Sequence, residues 1–101
     1  MANRDFIVFD FETGSSNPHK TQPTQIAALA LDGRNLSVKG TFDSEIRPIL
    51  NDDAAIKAGL DPIEDGALKV TNKNRKDLAK APTLKSVWKK FCSFVDKYNW
   101  K

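Results

Sequence analysis

The sequence predicts an α/β domain. The first half of the 101 residues holds three stretches of extended character, and the second half ends in a helix with a one-sided apolar stripe. A pair of acids closing the first extended stretch marks where chemistry would sit.

The first strand is Phe6-Ile7-Val8-Phe9-Asp10-Phe11-Glu12. Side chains at i and i+2 of a strand share a face, so Asp10 and Glu12 project together, roughly 6–7 Å apart along the strand. The residues before them are apolar on both faces, Phe6 and Val8 on one and Ile7 and Phe9 on the other, which predicts a strand buried inside a sheet. Two carboxylates at the end of such a strand are costly unless something compensates them. A divalent metal does so readily because hard cations prefer oxygen ligands, and the pair therefore points to a metal site. Two acids where a chain leaves its core is the plainer reading, and the pair alone does not decide between them.

After Glu12 come Thr13-Gly14 and a polar loop rich in Ser, Asn, Pro and Gln. A second strand is predicted over Thr24 to Asp32, an Asp32-Gly33 hairpin signal follows, and Lys39 to Ile49 reads as a third strand. Short helices are expected around Asp52 to Ala58, Glu64 to Val70 and Asn74 to Lys80, punctuated by Gly59, Asp61-Pro62 and Gly66. The last helix has the clearest signal. Thr83 follows Pro82 as an N-cap, and Leu84, Val87, Trp88, Phe91, Val95 and Tyr98 recur at helical spacing. That aromatic stripe is expected to be core packed on the sheet. Cys92, among the aromatics, is expected to be a buried structural thiol.

At this length there is room for one domain. With 40% hydrophobic and 29% charged residues the composition is that of a globular chain. No apolar run approaches the roughly 20 residues that span a bilayer, and Met1 to Asp5 lack the apolar core of a signal peptide. A single cysteine excludes an internal disulfide and agrees with a cytoplasmic setting. Charge is uneven. Residues 1–50 carry five basic and six acidic side chains, whereas residues 51–101 carry eleven and seven. Lys69, Lys73, Arg75, Lys76 and Lys80 form the densest basic patch. Such residues can hold a nucleic-acid backbone, but a solvated helical face is the favoured reading.

The segment Phe9-Asp10-Phe11-Glu12-Thr13-Gly14 resembles the first motif of the DEDD 3′–5′ exonucleases, the group of proofreading exonucleases and exonuclease I. Gln22-Pro23-Thr24-Gln25-Ile26-Ala27-Ala28 looks like the entry of exonuclease I-type members into their second strand. The likeness continues through Phe42-Asp43-Ser44-Glu45-Ile46-Arg47-Pro48, Ala67-Leu68-Lys69-Val70-Thr71 and Leu78-Ala79-Lys80-Ala81-Pro82-Thr83, covering nearly the whole chain in order. It implies an RNase H-like mixed sheet, spatial order 3-2-1-4-5, of which this chain supplies strands 1 to 3 and the first long helix. The first strand would then have an outer edge with no partner among these residues.

The resemblance implies hydrolysis of the terminal phosphodiester at a 3′ end of nucleic acid, expected to be single-stranded DNA, with release of nucleoside 5′-monophosphates. Two divalent ions, Mg²⁺ or Mn²⁺, would be held by four acids. By that analogy Asp10 bridges both ions, Glu12 ligates the one carrying the nucleophilic water, and Thr13 and Gly14 line the pocket of the terminal nucleotide. The second motif, Asn followed shortly by Phe-Asp, is absent. Asn99 is followed only by Trp100-Lys101, and neither Tyr98 nor His19 matches the third motif, a His or Tyr ahead of a final Asp. The remaining acids and the general base are therefore expected from a second polypeptide or a further segment that completes the sheet. The alternative is a non-catalytic exonuclease-like module that binds a partner protein through its open sheet edge. Other RNase H-like nucleases usually place their second acid on a distant helix, and the Asp10–Glu12 spacing disfavours them.

Overall fold

A computed structural model describes residues 4–98. Three strands, β1 (Phe6–Thr13), β2 (Pro23–Leu31) and β3 (Val38–Glu45), form an antiparallel sheet in the order β1-β2-β3. Four helices follow: α1 (Asp52–Lys57), α2 (Asp65–Val70), α3 (Arg75–Ala79) and α4 (Leu84–Tyr98). Asn99, Trp100 and Lys101, read above as lacking the second motif, lie outside the described residues.

Capping explains where the helices begin. The Asn51 side chain accepts from the Ala54 amide and the Asn74 side chain from the Asp77 amide, each satisfying a donor that a helix start leaves unpaired. Thr83 caps α4 as the sequence predicts: its hydroxyl oxygen accepts from Ser86 N at 3.2 Å and its carbonyl from Val87 N at 2.9 Å. Between β2 and β3 the chain makes a wider turn than the Asp32-Gly33 signal suggests, closed by Asp32 N–H to the Ser37 carbonyl at 2.8 Å. The Arg34 amide donates to Asp32 Oδ1, which holds that carboxyl below its usual range. Left-handed backbone falls on Leu36, φ 62°, rather than on Gly33. Gly33 serves another purpose, since a Cβ there would overlap the Arg4 carbonyl.

The sheet has two unlike faces. Alternation puts Ile26 and Ala28 of β2 under α4, where they meet Ile46, Val87 and Phe91, with Ile7, Phe42, Phe94 and Val95 packed around them. The Phe91 ring is in contact with Phe9, Phe42 and Trp88, at centroid distances of 5.5, 5.8 and 5.4 Å. Burying a side chain of this size contributes about 1.5–3 kcal/mol, so this layer carries most of the fold's cohesion. A smaller cluster of Ile63, Leu68 and Leu78, with Leu50 against it, ties α2 and α3 together.

Four expectations need correction. Among the described residues β1 is an edge strand rather than a buried one, and Phe6, Val8 and Phe9 are each about half exposed, at 53, 54 and 51%. The stripe of α4 is only partly core: Val87 and Phe91 are buried, but Leu84 and Trp88, 45 and 48% exposed, line a groove with Phe11 of β1, the strand that among the described residues ends the sheet. Cys92 is exposed, because one residue past buried Phe91 the helix has turned by about 100°. The basic patch is not one solvated face: Lys73 is buried against the sheet, and Arg75 pairs with Asp65 and donates to the Ile63 carbonyl at 2.8 Å. Among the described residues no helix is long and apolar enough to cross a membrane.

Candidate active site

Strand register fixes what surrounds the two acids. Ile7, Phe9 and Phe11 pair with Ala30, Ala28 and Ile26, on the face that α4 covers. Asp10 and Glu12 therefore lie on the opposite, open face, as their spacing predicts. Asp10 pairs with Ala27, and Ala27 with Asp43; Glu12 pairs with Gln25, and Gln25 with Glu45. The open face thus presents two rows, Asp10-Ala27-Asp43 and Glu12-Gln25-Glu45. Small Ala27 leaves a shallow groove of about 440 Å³ between the flanking strands, lined by Val8, Asp10, Leu29, Thr41 and Asp43.

Asp10 is exposed, and its Oδ1 accepts from the Phe11 amide at 2.9 Å, which turns the carboxylate along its own strand. Glu12 is half-buried and makes no hydrogen bond or ion pair with the described residues. Two adjacent carboxylates, one without a partner, suit a hard divalent cation in donor type. They make half a site. Among the described residues no three His, Cys, Asp or Glu side chains gather closely enough to hold a metal.

The loop beyond Glu12 is pinned from below. Gly14 donates its N–H to the Gln22 carbonyl at 3.0 Å and accepts the Glu64 N–H at 2.8 Å. A Cβ on Gly14 would overlap Ile63 Cδ1, so a larger residue would push that side chain aside. Both backbone groups of Gly14 are thus engaged within the fold, and the Thr13 hydroxyl donates to the Ser15 carbonyl at 3.4 Å. Ser15 Oγ donates to Asp61 Oδ2 at 3.1 Å, and the Ser16 amide donates to Glu64 Oε1 at 3.1 Å. Buried Gln22 acts as a staple: its amide nitrogen donates to the carbonyls of Ile49 and Asp61, and its oxygen accepts from Ile49 N.

The remaining residues with chemical potential lie elsewhere or were not assigned to this face from the sequence. Tyr98 hangs from α4, its hydroxyl donating to the Lys39 carbonyl at 3.4 Å, so the sheet separates it from Asp10. His19 is exposed in the loop after β1. Sequence reading did not bring together Gln25, Asp43, Glu45 and Lys73, which share the open face. Gln25 Nε2 donates to Asp43 Oδ1 at 2.6 Å, and Lys73 Nζ donates to Gln25 Oε1 and, at 3.3 Å, to Glu45 Oε2. Period-two alternation would have put the first three on that face; nothing local signals that Lys73 reaches it.

Against that geometry, the exonuclease family described as RNase_T matches residues 7–100. The chain belongs to the exonuclease family. Among curated proteins none matches its sequence significantly. Solved structures share the fold. Cell-death related nuclease 4 superposes with a TM-score of 0.74 at 19% identity, over 98% of this chain and 32% of that one. The nuclease domain of 3′hExo, a DEDDh family member bound to rAMP, gives 0.72 at 19% identity over 93% of this chain and 44% of that one. Exonuclease I of E. coli in complex with a dT13 oligonucleotide gives 0.60 at 22% identity over 78% and 15%. The fold seen here is thus an α/β arrangement of RNase H-like exonuclease kind, and this chain spans about a third of the length of the first of these proteins.

Proposed function

We propose that this exonuclease-family chain supplies the first two metal-binding acids of a divalent-metal-dependent 3′–5′ exonuclease. Its substrate is a single-stranded 3′ end, expected to be DNA, and its product nucleoside 5′-monophosphate. The observation that carries the reading is the pair Asp10 and Glu12, side by side on the open sheet face at the end of β1, within a chain matched to the family over residues 7–100. The DNA preference rests on a neighbour of the same fold solved with dT13.

Asp10 and Glu12 would both hold Mg²⁺ or Mn²⁺ through their carboxylate oxygens, and a metal bound there would supply activation of the attacking water and charge stabilisation at the leaving 3′ oxygen. Thr13 would meet the terminal nucleotide through its hydroxyl, whereas Gly14, expected to line the same pocket, is buried with both backbone groups bonded and would only shape the loop beneath it. The remaining acids and the base come from a second polypeptide or further segment lying along β1, whose outer edge is unpaired among the described residues. The cysteine count favours a cytoplasmic setting.

The test is release of 5′-mononucleotides from 3′-labelled DNA and RNA by the protein isolated with whatever polypeptide accompanies it, with Mn²⁺ and with chelator. Metal-dependent cleavage that vanishes in Asp10→Ala supports the reading, and full activity of that variant sinks it. The unpaired edge also suits a non-catalytic module. In that case the complex forms, yet Mn²⁺ neither supports cleavage nor raises the melting temperature.

A further inference from the structure

The open face carries more carboxylates than the proposed site uses. Asp43 and Glu45 repeat on β3 the one-residue spacing of Asp10 and Glu12 on β1, in register with them across β2. With adjacent strands about 4.8 Å apart, the two pairs lie about 10 Å from each other. A divalent cation approaching this face therefore meets two similar acidic pairs.

Among the described residues only one of them has a counter-ion supplied by the fold. The Lys73 side chain is just 7% exposed, and its ammonium donates to Gln25 Oε1 and to Glu45 Oε2. Gln25 in turn donates to Asp43 Oδ1, so one buried cation ties both β3 carboxylates into a network. The backbone holds Lys73 in place. It follows Asn72, whose φ is +56°, and the Lys73 N–H donates to the Leu68 carbonyl at 2.9 Å, closing the end of α2. A buried ammonium persists only where oxygens surround it, and here they are the Glu45 carboxylate and the Gln25 amide oxygen, ligand types a hard cation also takes.

We propose that Lys73 is a specificity-determining positioning residue: its fixed ammonium neutralises Glu45, holds Asp43 through Gln25, and so directs divalent metal to Asp10 and Glu12. This rests on the metal-binding reading of Asp10 and Glu12. The positive charge repels a second cation from β3, and the bond to Gln25 keeps that amide oriented toward Asp43 beside Glu12.

The test is a titration of the full chain with Mn²⁺, counting bound ions by loss of the free-ion electron paramagnetic resonance signal, with folding checked by circular dichroism. Lys73→Met is expected to bind one more Mn²⁺ than the parent, at least about tenfold more tightly than the parent binds any ion at that pair. The added ion should survive Asp10→Ala and disappear with Glu45→Gln, and Lys73→Arg should restore the parent count. Lys73→Gln, which keeps a donor without the charge, repeats the test should Lys73→Met unfold. Folded charge-removing variants that bind Mn²⁺ just as the parent does would overturn the proposal, as would an added ion that depends on Asp10. Failure of the underlying reading looks different: in the chain together with the polypeptide that completes the sheet, Asp10→Ala would then bind Mn²⁺ as the parent does, whatever Lys73 variants do.

Discussion

The two faces of the sheet are built from alternate residues of the same strands, yet they perform different work. Under α4, Ile7, Ile26, Ala28 and Phe42 pack with Val87 and Phe91 into the main core. On the reverse, Asp10, Glu12, Gln25, Asp43 and Glu45 share an open surface that none of these core residues reaches. Because neighbours along a strand point to opposite faces, chemistry and cohesion are separated by one residue rather than by one domain. A substitution at position 10 should therefore touch activity without stability, and one under α4 the reverse.

The largest effect expected is at Asp10. Asp10→Ala should abolish metal-dependent cleavage by the assembled enzyme while leaving circular dichroism and the denaturation midpoint of the chain near those of the parent, since among the described residues the side chain bonds only its own neighbour. Next comes Phe91→Ala. It removes the ring that Phe9, Phe42 and Trp88 all touch, and should cost about 3–5 kcal/mol in chemical denaturation. If Asp10→Ala cost as much stability as Phe91→Ala, the separation of the faces would fail. Between the two faces lies the seam at Gly14. Gly14→Ala should destabilise by about 1–3 kcal/mol by forcing Ile63 aside, and Ile63→Val in the same chain should return part of that.

How much of this was legible beforehand depends on the range of the signal. The i, i+2 rule put Asp10 and Glu12 on one face, and Thr83 after Pro82 announced the start of α4, because both are set by residues close in sequence. Helical periodicity likewise named Val87 and Phe91. It also named Trp88 and Leu84, which half failed, since a stripe tells which way a side chain points and not whether the sheet extends beneath it. Apolar residues on both faces of β1 suggested burial for the same reason, and burial needs neighbours that lie beyond β1's outer edge. Lys73 was read as part of a solvated patch because its partners, Gln25 and Glu45, are 48 and 28 residues away. Only the folded chain brings them together.

The smallest effect expected is at Trp88, and it bears on the edge where the sequence reading fell short. Trp88 sits with Phe11, Pro23, Leu84 and Lys85 around an apolar groove of about 510 Å³. Half its surface already meets water, so in the chain by itself Trp88→Ala should cost only about 1 kcal/mol, well below the cost at Phe91 on the same helix. If a further strand and its connections lie along β1 in the assembled enzyme, that groove is covered and the indole becomes core. The cost of Trp88→Ala should then rise to about 3 kcal/mol or more, measured by denaturation of the chain together with the polypeptide that completes the sheet. An equal, small cost in both settings would mean that whatever pairs with β1 leaves the α4 side of the edge open. That outcome would keep Phe9, Phe11 and Trp88 in water and argue for a thinner partner than the exonuclease fold supplies.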